Sequence, residues 1–294
     1  MKKTIFTGVG TALVTPMSKD GLDLPALDRL IEYQLNSGVS ALIACGTTGE
    51  PSTLSDEEWA AVISRAVLKA GGRVPVIAGT GGNNTADVIK KARLAKLLGA
   101  QAQLCVTPYY NKTSPEGLYQ HYTRIADESP LPVILYNVPA RTGLTLDTLT
   151  AARLSEHENI VALKEAGGDI GKAADLRNAC GDALPIYCGA DEMNVPMLSL
   201  GAIGVISVLS NIAPKLVCDM AAAAQSQDFG LASALQIQSM PLIRALFSSV
   251  SPIPVKCALH MMGLCENLLR LPLVPLEREK EERLRALMKK TELI

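Results

Sequence analysis

Ile160-Val161-Ala162-Leu163-Lys164 is a run of four apolar residues that ends on a lysine, and whether it is a strand decides the fold. Read as a strand, it places Lys164 on the face of Ile160 and Ala162, with Val161 and Leu163 on the other face. The smaller set suits the inside of a barrel and the branched pair a layer of covering helices. Seven comparable runs rich in Val, Ile and Leu occur at residues 9–14, 39–44, 74–78, 102–106, 132–136, 185–188 and 203–208. Helical spacing separates them. Trp59, Val62, Ile63, Ala66 and Val67 share one face of a segment that Ser55 and Glu58 open as a capping box and Gly71-Gly72 close. Pro25 suits the first turn of a helix ending near Gly38, and Thr85 and Ser114-Pro115 mark further helix starts.

Eight strands, each followed by a helix, predict an α/β chain with a parallel sheet, and closing that sheet into a (β/α)8 TIM barrel leaves no exposed edge. Strand signals stop near residue 225. Residues 231–247, 255–269 and 277–290 read as helices separated by joints at Pro252, Pro254, Pro272 and Pro275. The expected organisation is a barrel over residues 1–225 and a small C-terminal helical domain over 226–294.

A length of 294 residues accommodates one such barrel with an appendage. The balance of 28 basic and 29 acidic residues, net −1, gives no electrostatic footprint for nucleic acid or a membrane surface, so small molecules are the expected partners. Met1-Lys2-Lys3 is followed by an apolar stretch too short and too broken for a secretory signal, and no run is long enough to span a bilayer. The seven cysteines lie scattered without a CxxC pair, which predicts buried thiols in a reducing cytoplasm and no zinc site. Gly79-Thr80-Gly81-Gly82-Asn83 lacks both the GxGxxG spacing and a Walker lysine, which argues against a nucleotide cofactor.

Catalytic groups of such barrels project from the C-terminal ends of the strands. Lys164 stands at one of those ends, where desolvation disfavours its ammonium form and frees the amine to attack a carbonyl; the plainer alternative is an ion pair with Glu165. Tyr136 ends the preceding strand on its inward face. It is either a proton relay for a carbinolamine or a core tyrosine with a satisfied hydroxyl. Just beyond it, Arg141 offers a guanidinium able to hold a carboxylate at two points, unless it is simply a solvated loop charge. After the second strand, Gly46-Thr47-Thr48-Gly49-Glu50 supplies amides and hydroxyls suited to a carboxylate, with Glu50 read as an acceptor of hydrogen bonds within the loop.

GTTGE at 46–50, YNVPARTG at 136–143 and LKEA at 163–166 together resemble the pyruvate-dependent Schiff-base lyase superfamily, and the resemblance runs from Phe6-Thr7-Gly8 to the helical tail. It implies an imine between Lys164 and pyruvate, and a proton relay of Thr47, Tyr136 and Tyr110, the last reaching in from a neighbouring subunit. Thr47 and Thr48 then match the pyruvate carboxylate site. Arg141 matches the group that holds the carboxylate of aspartate 4-semialdehyde, and Gly189 and Ile206 match positions lining the site through their backbones. The implied reaction gives 4-hydroxy-tetrahydrodipicolinate, on the diaminopimelate route to lysine, in a homotetramer built as a dimer of dimers without metal or organic cofactor. A sibling lyase cleaving a 2-keto-3-deoxy sugar acid is the alternative, and Arg141 argues against it. A catalytically dead regulatory member is a further alternative, against which intact Lys164, Tyr136, Thr47 and Tyr110 stand.

The resemblance extends to the site at which lysine inhibits sensitive members. Asn83 and Tyr109 match it, whereas Asp87 replaces a Glu, Pro51 replaces a Ser, and Asp56 and Trp59 stand where histidines often lie. Weak inhibition is implied. Trp59 is equally readable as a core residue of its helix.

Overall fold

A computed structural model describes residues 2–294; Met1, the start of the basic N-terminal triplet, lies outside them. The strands are β1 (Gly8–Ala12), β2 (Met17–Ser18), β3 (Gly21–Leu22), β4 (Ala41–Ala44), β5 (Val76–Gly79), β6 (Ala102–Val106), β7 (Val133–Asn137), β8 (Ile160–Glu165), β9 (Ile186–Cys188) and β10 (Gly204–Ser207). β2 and β3 form a small antiparallel hairpin that the apolar runs do not announce. The other eight close into a parallel barrel in chain order, β10 returning to β1.

The helices between them start and stop for local reasons. Ser55 and Glu58 form the reciprocal capping box of the helix Asp56–Ala70, and Gly71 ends it in the left-handed conformation at φ 56°. Asn84, rather than Thr85, caps the helix Thr85–Leu97, while Ser114 caps Pro115–Glu128. Beyond the barrel come the helices Phe229–Leu246, Ile253–Met261 and Arg278–Lys290. The middle one is shorter than its apolar pattern suggests. Gly263, at φ 71°, turns the chain there, and its N–H and that of Leu264 return to carbonyls of the last helical turn. No helix of the described residues is long and apolar enough to cross a membrane.

Two concentric cores hold the fold. The inner one fills the barrel with side chains such as Ala41, Ile77, Ala102, Ile134 and Ala162, and the outer one lies between strands and helices. In β8 the phase departs from simple alternation. Val133 pairs with Ile160 but Ile134 pairs with Ala162, so β8 carries one extra residue against β7. Ile160 therefore packs in the outer core and Val161 in the inner one, the reverse of the sequence expectation, because a β-bulge shifts which face its neighbours occupy. Above the bulge the phase is as expected: Ala162 lies inside and Leu163 outside.

Candidate active site

Lys164 and Tyr136 are register partners across β7 and β8. The lysine is 5% exposed, its Nζ lies 4.2 Å from the centroid of the Tyr136 ring, and no carboxylate pairs with it among the described residues. Glu165 is engaged elsewhere. Its Oε2 accepts from Asn137 Nδ2 at 2.8 Å and its Oε1 from Gly167 N at 2.6 Å, so the ion pair considered from sequence does not form. Burial pushes the Glu165 carboxyl above its ordinary value, against the pull of those two donors. On the other side of Lys164 stands Gly189, just past β9. A Cβ there would lie 2.7 Å from Lys164 Cε and 2.9 Å from its Cγ, so the lysine side chain occupies the space that any larger residue would need.

The barrel mouth holds two adjoining cavities. One, of about 330 Å³, is bordered by Lys164, Thr47, Thr48, Tyr136, Arg141 and Gly189 among others. The second, of about 310 Å³, shares Thr47, Tyr136 and Arg141 and extends past Cys45 to Tyr109. Thr47 and Thr48 open a single 3-10 turn, Thr47–Gly49, whose first amides have no acceptor within it. Cys45, two residues before the turn, and Glu50, directly after it, both adopt φ 55°, a left-handed conformation that tertiary contacts must hold in place. One such contact is plain. Glu50 Oε1 meets Lys256 Nζ at 2.5 Å with both side chains sealed from solvent, so this carboxylate is anchored to the C-terminal helix Ile253–Met261 and not, as expected, within its own loop.

Arg141 sits on the short helix Pro139–Thr142 and donates from Nη2 to Ser251 O at 2.9 Å. Ser251 also borders both cavities, a contribution that sequence reasoning missed. Asp191 was missed as well. It is 2% exposed and accepts from Ser207 Oγ (2.5 Å), Val208 N (3.0 Å), Leu209 N (2.8 Å) and Asn194 Nδ2 (3.3 Å), which fixes the loop beyond β9 to the end of β10. The available signal was an acidic pair, Asp191-Glu192, directly after a strand end.

Not every expected residue joins this group. Tyr110 is 92% exposed with φ 67° and faces outward from its own chain. Ile206 lines neither cavity. Its side chain lies in the inner core, 1% exposed, two residues before Val208, which does reach the wall. Asn83 donates to Tyr109 O at 3.3 Å and accepts at its own carbonyl from Asn111 Nδ2, whereas Asp87 is held by Asn84 Nδ2 at 2.8 Å. Trp59 is a core residue, 1% exposed, with Nε1 donating to Gly79 O at 3.1 Å. That leaves only its core role.

A buried amine with no counter-ion, set against a phenol ring at the mouth of a closed parallel barrel, is the equipment of a class I aldolase-type lyase. The chain belongs to the dihydrodipicolinate synthetase family, whose model matches residues 5–291. It is 46% identical over 290 residues to the 4-hydroxy-tetrahydrodipicolinate synthase of Geobacter metallireducens, covering 99% of this chain and 100% of that one. The fold superposes on the chloride-inhibited dihydrodipicolinate synthase of Acinetobacter baumannii complexed with pyruvate at a TM-score of 0.97 and 46% identity, over 99% of this chain and 100% of that one. It superposes equally, at 0.97 and 42% identity over 99% and 98%, on a dihydrodipicolinate synthase variant described as the first monomeric one.

Proposed function

We propose that this protein condenses pyruvate with L-aspartate 4-semialdehyde to give 4-hydroxy-tetrahydrodipicolinate, through a Schiff base at Lys164. The observation that carries the reading is the unpaired, buried Lys164 amine sharing one cavity with Arg141. Lys164 attacks the pyruvate carbonyl, and the carbinolamine loses water to an iminium. The iminium draws electron density from the methyl group, which gives up a proton to form the enamine. The enamine carbon attacks the semialdehyde, and the substrate's ammonium, after giving up a proton, attacks as the free amine and displaces Lys164 to close the ring. Tyr136 and Thr47, on the wall beside Lys164, relay the protons with Tyr110 of a neighbouring subunit. Thr47 and Thr48 hold the pyruvate carboxylate, Arg141 holds that of the semialdehyde, and Gly189 leaves room for the lysine.

In this reading residues 1–225 form the catalytic barrel and 226–294 a helical appendage that reaches back through Ser251 and Lys256. An outward Tyr110 serves a site only when a second copy brings it there, which requires at least a dimer; the family resemblance implies a homotetramer built as a dimer of dimers. Asn83, Asp87 and Tyr109 form a lysine site weakened by the Asp87 and Pro51 replacements.

Two measurements test the proposal. A coupled assay with tetrahydrodipicolinate reductase should show consumption of both substrates, and borohydride added with pyruvate should leave a stable adduct on Lys164. An adduct that persists in Lys164→Ala would sink the mechanism. Mixing Lys164→Ala with Tyr110→Phe should restore activity once subunits exchange, and mixed oligomers as inactive as the parents would refute the shared site.

A further inference from the structure

Three carboxylates border the two cavities: Glu50, Asp191 and Glu192. Glu50 is committed to Lys256. Asp191 has both oxygens filled by protein donors, Ser207 Oγ and Asn194 Nδ2 on Oδ1 and the amides of Val208 and Leu209 on Oδ2. Glu192 differs from both. It is exposed, borders the Lys164 cavity, and its carboxylate has no hydrogen bond or ion pair among the described residues.

The backbone beneath it is nonetheless fixed. Glu192 lies in the single 3-10 turn Asp191–Met193, whose Met193 N–H returns to Ala190 O at 2.8 Å. Gln236 Nε2, from the helix Phe229–Leu246, bonds Asp191 O at 3.0 Å and ties the turn to the C-terminal helices. The turn begins two residues after Gly189, the position that abuts Lys164. A free carboxylate on a held backbone thus shares a cavity with the reacting amine and a guanidinium.

We infer that Glu192 receives the ammonium group of the second substrate and so sets which aldehyde the site accepts, an assignment that rests on the reaction proposed above. That substrate carries three recognisable groups. Its aldehyde carbon goes to the enamine on Lys164 and its carboxylate to Arg141. Its ammonium loses hydration on entering the cavity and requires an acceptor. Glu192 is the one carboxylate of the three whose acceptor sites are open. An aldehyde acid of the same length without the amine gains nothing from it.

The test uses the intact oligomer and compares the wild type with Glu192→Gln and Glu192→Ala. KM for aspartate 4-semialdehyde should rise on the order of tenfold, the size of one charge-assisted hydrogen bond at an open-sided site. Borohydride trapping with pyruvate should proceed at the wild-type rate. The deaminated four-carbon semialdehyde, used as a competitive inhibitor, should bind wild type and variants alike, a result that a merely structural role for Glu192 does not give. A KM within about twofold of wild type, or parallel losses for substrate and analogue, overturns the assignment alone. Absence of turnover by the wild type overturns the reaction and the assignment with it.

Discussion

Lys256 and Glu50 meet at 2.5 Å inside the protein, their side chains 0% and 1% exposed, and join the helix Ile253–Met261 to the loop that carries Thr47 and Thr48. Both charges have left water, and the pair survives because each neutralises the other. Lys256→Met strands the glutamate and is expected to cost about 3–5 kcal/mol in denaturant unfolding. Glu50→Gln added to Lys256→Met should recover much of that loss. A double variant no more stable than the single one would show that the charge pairing is not what matters.

Gly189→Ala should slow Schiff-base formation and also lower stability, since the new methyl meets atoms that cannot swing aside. The added methyl would lie 2.7 Å from Lys164 Cε and 2.9 Å from both Lys164 Cγ and Ala166 Cβ; the lysine tip can move, but Ala166 Cβ is fixed to the backbone. Trapping with pyruvate and borohydride is expected to fall by about tenfold or more, since misplacing a reacting group by an ångström costs on the order of a hundredfold. Wild-type trapping rates in this variant would remove the steric role assigned to the glycine.

Arg141→Ala should separate the two substrates. The guanidinium spends one donor on Ser251 O, and its other N–H groups have no protein partner among the described residues. Removing them should raise KM for the semialdehyde by roughly one to two decades while pyruvate trapping persists. Equal damage to both would place Arg141 at the pyruvate end instead.

Acid should unlock the clasp between Glu58 and Arg270. Arg270 bonds the carboxylate at both oxygens, which with help from the Ser55 amide holds its pKa down at about 2. A carboxyl depressed in the folded state stabilises fully above its unfolded value near 4.3, and loses that contribution as pH falls toward about 2. Glu58→Gln should therefore be less stable than wild type by about 1–3 kcal/mol at neutral pH, with the gap closing through that window. Urea titrations at several pH values read it directly, and a gap that stays constant to about pH 2 would exclude the pair as its source.

Lysine should inhibit weakly. Asp87 is already bonded to Asn84, Pro51 offers no side-chain donor or acceptor, and Trp59 is sealed in the core. In the coupled assay, lysine at submillimolar concentration should leave the rate nearly unchanged. Strong, saturable inhibition would mean that the remaining Asn83 and Tyr109 suffice.

All eight barrel strands were legible because each is a short apolar run bounded by breakers, and the adjacency of Tyr136 and Lys164 follows from their ending consecutive strands. The partners that hold the site were not. Ser251 O on Arg141 and Lys256 on Glu50 lie more than a hundred residues away in sequence, and no local pattern encodes such a pairing. Glu192 stands out only by contrast with Glu50 and Asp191, whose partners come from other elements of the fold. For Ile206 the family correspondence concerns the backbone, and its side chain goes into the inner core.

The extra residue in β8 separates the strand into two parts that face their neighbours independently. Below it, Ile160 and Val161 answer to the packing of the barrel floor; above it, Ala162, Leu163 and Lys164 keep strict register with Ile134, Leu135 and Tyr136. Loss of Val161 would restore an unbroken ladder and still leave the amine pointing inward. The bulge thus acts as a slip joint: length variation in the lower strand is absorbed there, and the chemistry above it is insulated from insertions and deletions that would turn the lysine of an uninterrupted strand toward the helices.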